Sequence, residues 1–249
     1  MNNNFKIIIP LYNVEKWIKK CIRSVKLQDY KEFECIIIDD MSTDKSSEII
    51  SKEIQSDSRF KLIKNTTKSY ALKNISDSID FLDPTDDDII ITLDGDDWLA
   101  NKSVLSTIND IYNHKKCWMT YGSYIEYPKN IRGSFSKKIP ANVVKNSLYR
   151  SSPWCSSHLR TFKCGLWRKI NKNDLINPIT NEFIKAAWDL AFMFPMLEMS
   201  AERAVYVENL LYVYNRDNPL NEDKVDHSLQ LSEEKIIRGK IKYKRLLSL

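Results

Sequence analysis

The run Leu93-Asp94-Gly95-Asp96-Asp97-Trp98 follows a short apolar stretch, Ile89-Ile90-Ile91-Thr92, and carries the sharpest chemical signal in the sequence. Asp94 and Asp96, one residue apart on a turn, can point to the same side and share one divalent cation. Carboxylates suit a hard ion such as Mg²⁺ or Mn²⁺, which keeps some of its waters and accepts diphosphate oxygens. An EF-hand is excluded by register: with Gly95 as its glycine, two further acidic or amide ligands would fall on Ile90 and Thr92. An Asp-Gly turn with solvated acids is the plainer alternative.

What the chain lacks narrows the chemistry. Only Gly95, Gly122, Gly133, Gly165 and Gly239 are glycines. No GxGxxG or GxxxxGK[ST] can be written with them, nor a GxSxG nucleophile elbow, so the dinucleotide fingerprint, the P-loop and the α/β-hydrolase motif are excluded. Phosphates would meet no glycine cradle, and a metal ion is the natural substitute. The five cysteines (Cys21, Cys35, Cys117, Cys155, Cys164) are odd in number and form no CxxC pair. That argues against zinc and against a disulfide framework, and for reduced thiols in the cytoplasm. No charged leader precedes a long apolar stretch, and no apolar run approaches the roughly 20 residues of a membrane span. The net charge of +5, from 38 basic and 33 acidic residues, is scattered along the chain. A nucleic-acid binder clusters its excess, so none is expected here. At 249 residues, 43% of them hydrophobic, one structural domain with a sizeable core is expected.

The acids need a frame. Phe5 to Ile9, Cys35 to Ile38, Phe60 to Ile63 and Ile89 to Leu93 read as short buried strands. Between them, Val14, Trp17, Ile18, Cys21, Ile22 and Val25 recur at helical spacing, as do Ile49, Ile50 and Ile54, and Ala71, Leu72, Ile75, Ile79 and Leu82. Ser42 or Asp44 can cap the second of these helices. Alternating strand and helix predicts a mostly parallel sheet covered on both faces, an α/β/α sandwich. In such sheets ligands sit beyond the carboxyl ends of the strands. Three of those ends are polar: Pro10-Leu11-Tyr12-Asn13, Asp39-Asp40 and Asp94 to Asp97. The frame thus brings distant segments to one rim.

Beyond about residue 122 the pattern loosens, which divides the chain into halves 1–122 and 123–249. A helix is expected over Phe183 to Met199, kinked near Pro195, with Met193, Phe194, Met196 and Met199 in the core. Val205 to Val207 and Leu210 to Tyr214 read as two short strands. Leu229 to Leu249, which includes the basic run Lys235 to Arg245, reads as an amphipathic helix packed on the domain. Trp154, His158 and Arg160 combine a stacking face, a titratable ring and a fixed cation, a constellation suited to sugar or phosphate recognition.

The segment IIIPLYNVEKWIKKCIRSVKLQDYKEFECIIIDDMSTD, followed some fifty residues later by ITLDGDDWL, resembles glycosyltransferase family 2 over roughly residues 5–122. The resemblance implies the A-type glycosyltransferase architecture, a Rossmann-like, nucleotide-sugar-binding sandwich, and inverting sugar transfer to an acceptor hydroxyl. Met41 stands where the family usually has a glycine.

By the same resemblance, Pro10, Leu11, Tyr12 and Asn13 lie under the nucleotide, with Tyr12 near the base. Asp40 accepts a uracil N3–H, making a UDP-sugar the expected donor, while Asp39 supports the turn. Asp94 holds the ribose or the metal, with Gly95 beside it, and Asp96 ligates the Mn²⁺ or Mg²⁺ that bridges the diphosphate. Lys73 and Lys68 lie where the family often has a basic contact to the diphosphate or base; a solvated helix face is the alternative for each. Asp83, Asp86, Asp87 and Asp88 read as loop acids. The family's general base, an acid opening a late helix, falls on Asp189, where Trp188 replaces the frequent glutamate. Some relatives add a late histidine to the metal, for which His227 is the candidate. The acceptor, a glycan, glycolipid or protein, is left to the second half. The rivals are a nucleotidyltransferase, disfavoured by the lack of a glycine- and basic-rich N-terminal phosphate loop, and a nucleotide-sugar binder without turnover.

Overall fold

The computed structural model describes residues 2–249, side chains at 222 and 223 excepted. The first half alternates as the apolar runs predict: β1 (Phe5–Leu11), α1 (Ile18–Lys26), β2 (Phe33–Asp39), α2 (Ser46–Ile54), β3 (Phe60–Lys64), α3 (Tyr70–Leu82) and β4 (Ile89–Thr92). There follow β5 (Trp98–Leu99), α4 (Val104–Lys115), β6 (Met119–Tyr127), β7 (Ile131–Arg132), α5 (Ala141–Lys145), β8 (Arg160–Lys163) and α6 (Cys164–Trp167). The chain continues through β9 (Ile176–Asn177), β10 (Glu182–Phe183), α7 (Trp188–Ser200), β11 (Ala204–Asn215), α8 (Glu222–Val225) and α9 (His227–Gly239).

The main sheet runs β3-β2-β1-β4-β8-β6-β11-β5, with β7 added to β6. From β3 to β4 every pairing is parallel. Beyond that β8 enters antiparallel between β4 and β6, β6 and β11 pair parallel, and β5 closes the edge antiparallel to β11. The uninterrupted parallel run is therefore that of the first four strands, with one further parallel pair at β6–β11, and the whole sheet is mixed.

Strand side chains alternate between faces, so two cores form. Ile8, Ile36, Ile38 and Ile90 face one core, with Leu72, Ile75 and Ile79 of α3 and nearly all of α7. Ile7, Ile9, Ile37, Ile89 and Ile91 face the other, with the buried stripes of α1 and α4. Burial on both faces is why these strands are uninterrupted isoleucine runs rather than alternating patterns. Pro10 does not end β1, because the β1–β4 ladder stops at Ile8 and the missing N–H costs no bond there.

Several expectations need correction. β6 runs through residue 122, in a stretch whose polar residues are buried by partners rather than exposed: Thr120 Oγ1 lies 2.7 Å from Thr161 Oγ1, and Ser123 Oγ 2.6 Å from the Tyr206 hydroxyl. The two strands expected over 205–214 are one, β11, with register shifts between Val207, Leu210 and Tyr212. α7 begins at Trp188, after Ala187 at φ 48°, and continues through Pro195. The terminal helix ends at Gly239; residues 240–249 return across the domain, with Lys240 Nζ donating to the carbonyls of Asp174 and Ile176 (both 2.7 Å) and Leu246 N to Met199 O (3.0 Å). Among the described residues no helix is long and apolar enough to cross a membrane.

Candidate active site

The rim is built by short loops pinned to one another. A Cβ on Gly95 would stand 2.5 Å from Leu11 Cβ, so only glycine lets the Asp94–Asp97 turn rest on the end of β1. Asn13, at φ 51°, accepts the Thr43 N–H on its Oδ1 (2.8 Å), and its own N–H donates to Ser42 Oγ (2.9 Å). Met41 adopts φ 68°, the left-handed conformation that explains why glycine is usual there. The residue at the N-cap of α2 is Lys45, whose side chain makes no capping bond; Asp44, one position earlier, accepts the Ser46 N–H at 2.9 Å. Asp39 supports its turn, accepting from Ser42 N (2.8 Å) and from the Ser47 hydroxyl.

Asp40 is buried and anchors the start of α3. Its Oδ1 accepts from Asn65 Nδ2 (2.7 Å) and Ser69 N (2.8 Å), and its Oδ2 from Tyr70 N (2.8 Å), with Lys68 Nζ 3.5 Å away. Burial pushes its pKa up, but these hydrogen bonds outweigh burial and hold it below the usual value. Lys68 also sits 3.0 Å from the centroid of the half-exposed Tyr12 ring, a cation–π contact.

The three aspartates after β4 separate by depth. Asp97 is fully buried, accepting from the Tyr212 hydroxyl on Oδ2 (2.6 Å) and from Asn215 N on Oδ1 (2.7 Å). Asp94 and Asp96 are half-buried and face the rim. Asp96 Oδ2 accepts from Asn218 Nδ2 at 2.7 Å, and the Asp94 N–H donates to the Tyr212 hydroxyl at 3.3 Å. Burial pushes Asp94 up to about 6, opposed by Arg160 and reinforced by Asp96 and Asp189. Burial likewise raises Asp96 and, more strongly, Asp97, where the neighbouring acids add to it.

From the other side come β8 and α7. Arg160, buried at the start of β8, donates from Nη2 to Asp189 Oδ2 at 3.0 Å. Its guanidinium also lies 5.3 Å from the Trp188 ring centroid. Every residue of α7 is buried except Asp189, so this helix shows the rim one group, a carboxylate. His158 stacks on Tyr212 at 4.4 Å and stands edge-on to Tyr124. Burial and then the charge of Arg160 hold its pKa well below the usual value, so the ring is neutral. Its Nδ1 is buried without a hydrogen-bond partner.

These donors fit a divalent cation. Ligand atoms of Asp94, Asp97 and His158 lie within 4.8 Å of one another. Crowded carboxylates with raised pKa values are the electrostatic mark of a place where a cation is favoured. Asp97 is the weakest ligand of the set, because its two oxygens are already engaged by Tyr212 and Asn215. Asp94 and Asp96 are the acids open to the rim.

Comparison with known proteins follows this geometry. Residues 6–171 match glycosyl transferase family 2. The chain belongs to that family. An uncharacterized glycosyltransferase of Haemophilus influenzae is 40% identical over 247 residues, covering 84% of this chain and 94% of that protein. The glycosyltransferase GlyA of Streptococcus pneumoniae is 24% identical and covers 86% of this chain, which in turn spans 31% of GlyA. Among solved structures, Staphylococcus aureus TarS 1–349 in complex with UDP-GlcNAc superposes with a TM-score of 0.65 at 22% identity, over 86% of this chain and 59% of that one. The mannosyltransferase PcManGT of Pyrobaculum calidifontis, in complex with GDP-Man and Mn²⁺, superposes with a TM-score of 0.65 at 15% identity, over 98% and 66%. The fold is the A-type glycosyltransferase fold, and the family match sets aside nucleotidyl transfer.

Within this family-2 chain some expected residues lie elsewhere. Trp154 does not join His158 and Arg160; its ring stands edge-on to Phe194 at 5.3 Å in a separate apolar cavity. Lys73 pairs with Asp77 at 2.6 Å along α3, whereas Lys68 is the lysine at Tyr12 and Asp40. His227 is exposed at the start of α9, its Nδ1 3.4 Å from Gln230 Oε1, and does not belong to the acidic cluster. Asp83 and Asp86 pair with Arg168, Asp87 pairs with Lys163, and Asp88 accepts the Thr85 N–H, as loop acids would. Tyr212, Asn215 and Asn218, which hold Asp97 and Asp96 in place, carry no motif that singles them out. The polar run Asn215-Arg216-Asp217-Asn218 after an apolar strand was the available signal, of the same kind as the three rim motifs.

Proposed function

We propose that this protein transfers a sugar with inversion from a UDP-sugar to an acceptor hydroxyl, in a metal-dependent reaction with Asp189 as general base. The observation that carries the reading is the Arg160–Asp189 pair at 3.0 Å, which joins the one open residue of α7 to a strand residue paired with Thr92, two positions before Asp94. Residues 1–122 serve the donor and residues 123–249 the acceptor, a glycan, glycolipid or protein.

For the donor, Pro10 to Asn13 underlie the nucleotide and Tyr12 flanks the base. Asp40 Oδ2, which accepts one backbone N–H and has Lys68 Nζ at 3.5 Å, against two close donors on Oδ1, is the oxygen with capacity for a uracil N3–H. TarS solved with UDP-GlcNAc supports a uridine donor, and PcManGT solved with Mn²⁺ supports the metal. Asp94 and Asp96 would hold the cation, which supplies charge stabilisation to the departing diphosphate.

The acceptor oxygen attacks the anomeric carbon from the face opposite the diphosphate. The bond from that carbon to the phosphate oxygen breaks, its electron pair leaves with the diphosphate, and the configuration inverts. The hydroxyl proton passes to Asp189, whose carboxylate Arg160 orients. Positioning and proton removal together can supply many orders of magnitude in rate.

Incubating the protein with a panel of nucleotide sugars and Mn²⁺, with and without acceptor glycans, tests this. Release of nucleoside diphosphate together with a glycoside of inverted configuration supports the reading. Retained configuration refutes the single displacement, and binding without release leaves a nucleotide-sugar-binding protein.

A further inference from the structure

A cavity of about 280 Å³ is walled by Ile139, Val143, Tyr149, Trp154, Phe194 and Leu197. Phe194 and Leu197 follow Asp189 by five and eight residues on α7, so the cavity begins about 8–12 Å along the helix axis from the proposed base. Ser156, also in its wall, precedes His158 by two residues. The space admits about nine groups of water size.

Its chemistry is lopsided. The walls are mostly apolar, and the Tyr149 hydroxyl, in a residue only 3% exposed, has no hydrogen-bond partner. Lys137 and Lys138 line the mouth, and neither has an acidic partner among the described residues. The next residue but one before Lys137, Phe135, is 64% exposed. Beside Tyr149 the lining offers only Asn142, Ser152 and Ser156 as neutral polar side chains, too few to pair the several hydroxyls of a sugar ring, and each one left unpaired carries a cost. A hydrocarbon segment ending in an anionic group matches wall, hydroxyl and lysines together. A second cavity, about 300 Å³ near Trp167, differs: its Lys172 pairs with Asp80 and its Arg168 with Asp83, so its charges already balance.

We propose that this cavity holds the hydrocarbon next to the phosphate of a lipid-linked phosphate acceptor, with Lys137 and Lys138 on the phosphate and the acceptor's hydroxyl reaching toward Asp189. This rests on the reading of the site as a glycosyltransferase and narrows its acceptor class.

Cys155 provides a readout that needs no donor. It lines the cavity and is half-buried, while Cys21, Cys35, Cys117 and Cys164 are buried, so a small alkylating reagent reports on it in the folded protein. Decyl phosphate, below its micelle threshold, should slow Cys155 alkylation saturably. Decanol should need about tenfold more, the factor that 1.4 kcal/mol of phosphate contact gives, and inorganic phosphate should not protect. The surface double variant Lys137→Ala/Lys138→Ala should raise the half-protecting concentration about tenfold at unchanged melting temperature. The proposal is overturned if decyl phosphate gives no protection, if decanol or inorganic phosphate protects equally well, or if the double variant binds as the parent does. Binding to anionic vesicles that leaves Cys155 reactive would instead indicate a membrane-surface role for the lysines and also overturns it. Because no nucleotide sugar is present, failure of this binding and failure of sugar transfer are separate results.

Discussion

Asn218 donates its carboxamide to Asp96 at 2.7 Å from a position 122 residues further along the chain. The bond turns Asp96 away from Asp97, whose own partners, Tyr212 and Asn215, lie deeper on β11. Neighbouring acids thus face different environments, and substitution should separate them.

Asp96→Ala should nearly abolish sugar transfer while the melting temperature stays close to that of the parent, because Asp96 faces the rim. Asp97→Asn should instead lower stability by about 1–3 kcal/mol, since the amide cannot accept from both Tyr212 and Asn215. That is about 2–4 °C of melting temperature per kcal/mol for a chain of this size. EDTA should mimic Asp96→Ala in activity. Full turnover in a rigorously chelated sample would remove the metal from the mechanism.

Asp189→Asn separates binding from chemistry. A general base acts in the transition state, so donor affinity should hardly change while transfer falls by about 10²–10⁴-fold. The near-isosteric amide keeps an oxygen for Arg160. Transfer at the parent rate would make Asp189 a structural partner of Arg160 and nothing more.

Uridine diphosphate should bind more tightly than cytidine diphosphate, because an acceptor-only carboxylate such as Asp40 requires an N–H from the base. Guanine carries an N–H too, but its larger ring would crowd Tyr12. Calorimetric titration in Mn²⁺ ranks the three, and a guanosine preference would overturn the uridine assignment while leaving the fold intact.

Met41→Gly should stabilise the protein by about 1 kcal/mol, the relief of a left-handed non-glycine residue offset by glycine's greater chain entropy. Met41 is 44% exposed, so little burial is lost. A thermal scan showing a lower midpoint would mean that the Met41 side chain contributes contacts worth more than the strain.

The parts of this fold that could be read from the sequence are those whose signal is local. Ile7 to Ile9, Ile36 to Ile38 and Ile89 to Ile91 announce strands buried on both faces, and Asp94-Gly95-Asp96 announces a turn that must lie close to another backbone. What escaped is held together across the chain. β6 hides its polar residues in hydrogen bonds to Thr161 and Tyr206, so no period marks it. Tyr212 looks like one more aromatic strand residue until its hydroxyl is found on Asp97. Trp154 and His158 lie four residues apart, yet one packs on α7 and the other stacks on β11, because the segment between them crosses from one core to the other side of the sheet.

The carboxylate of Glu233, buried on α9, accepts the N–H groups of Lys185 and Ala186 at 2.8 and 2.6 Å, and Asn177 Nδ2 at 3.0 Å. Those two amides belong to the short approach that delivers the chain to Asp189. The family match ends at residue 171, sixty-two positions before this acid. Swapping the matched portion between relatives would therefore carry over Asp40, Asp94 and Asp96 while leaving Asp189, the proposed proton acceptor, under the control of whatever C-terminal helix the recipient supplies. Acceptor chemistry in such hybrids should follow the parentage of the tail.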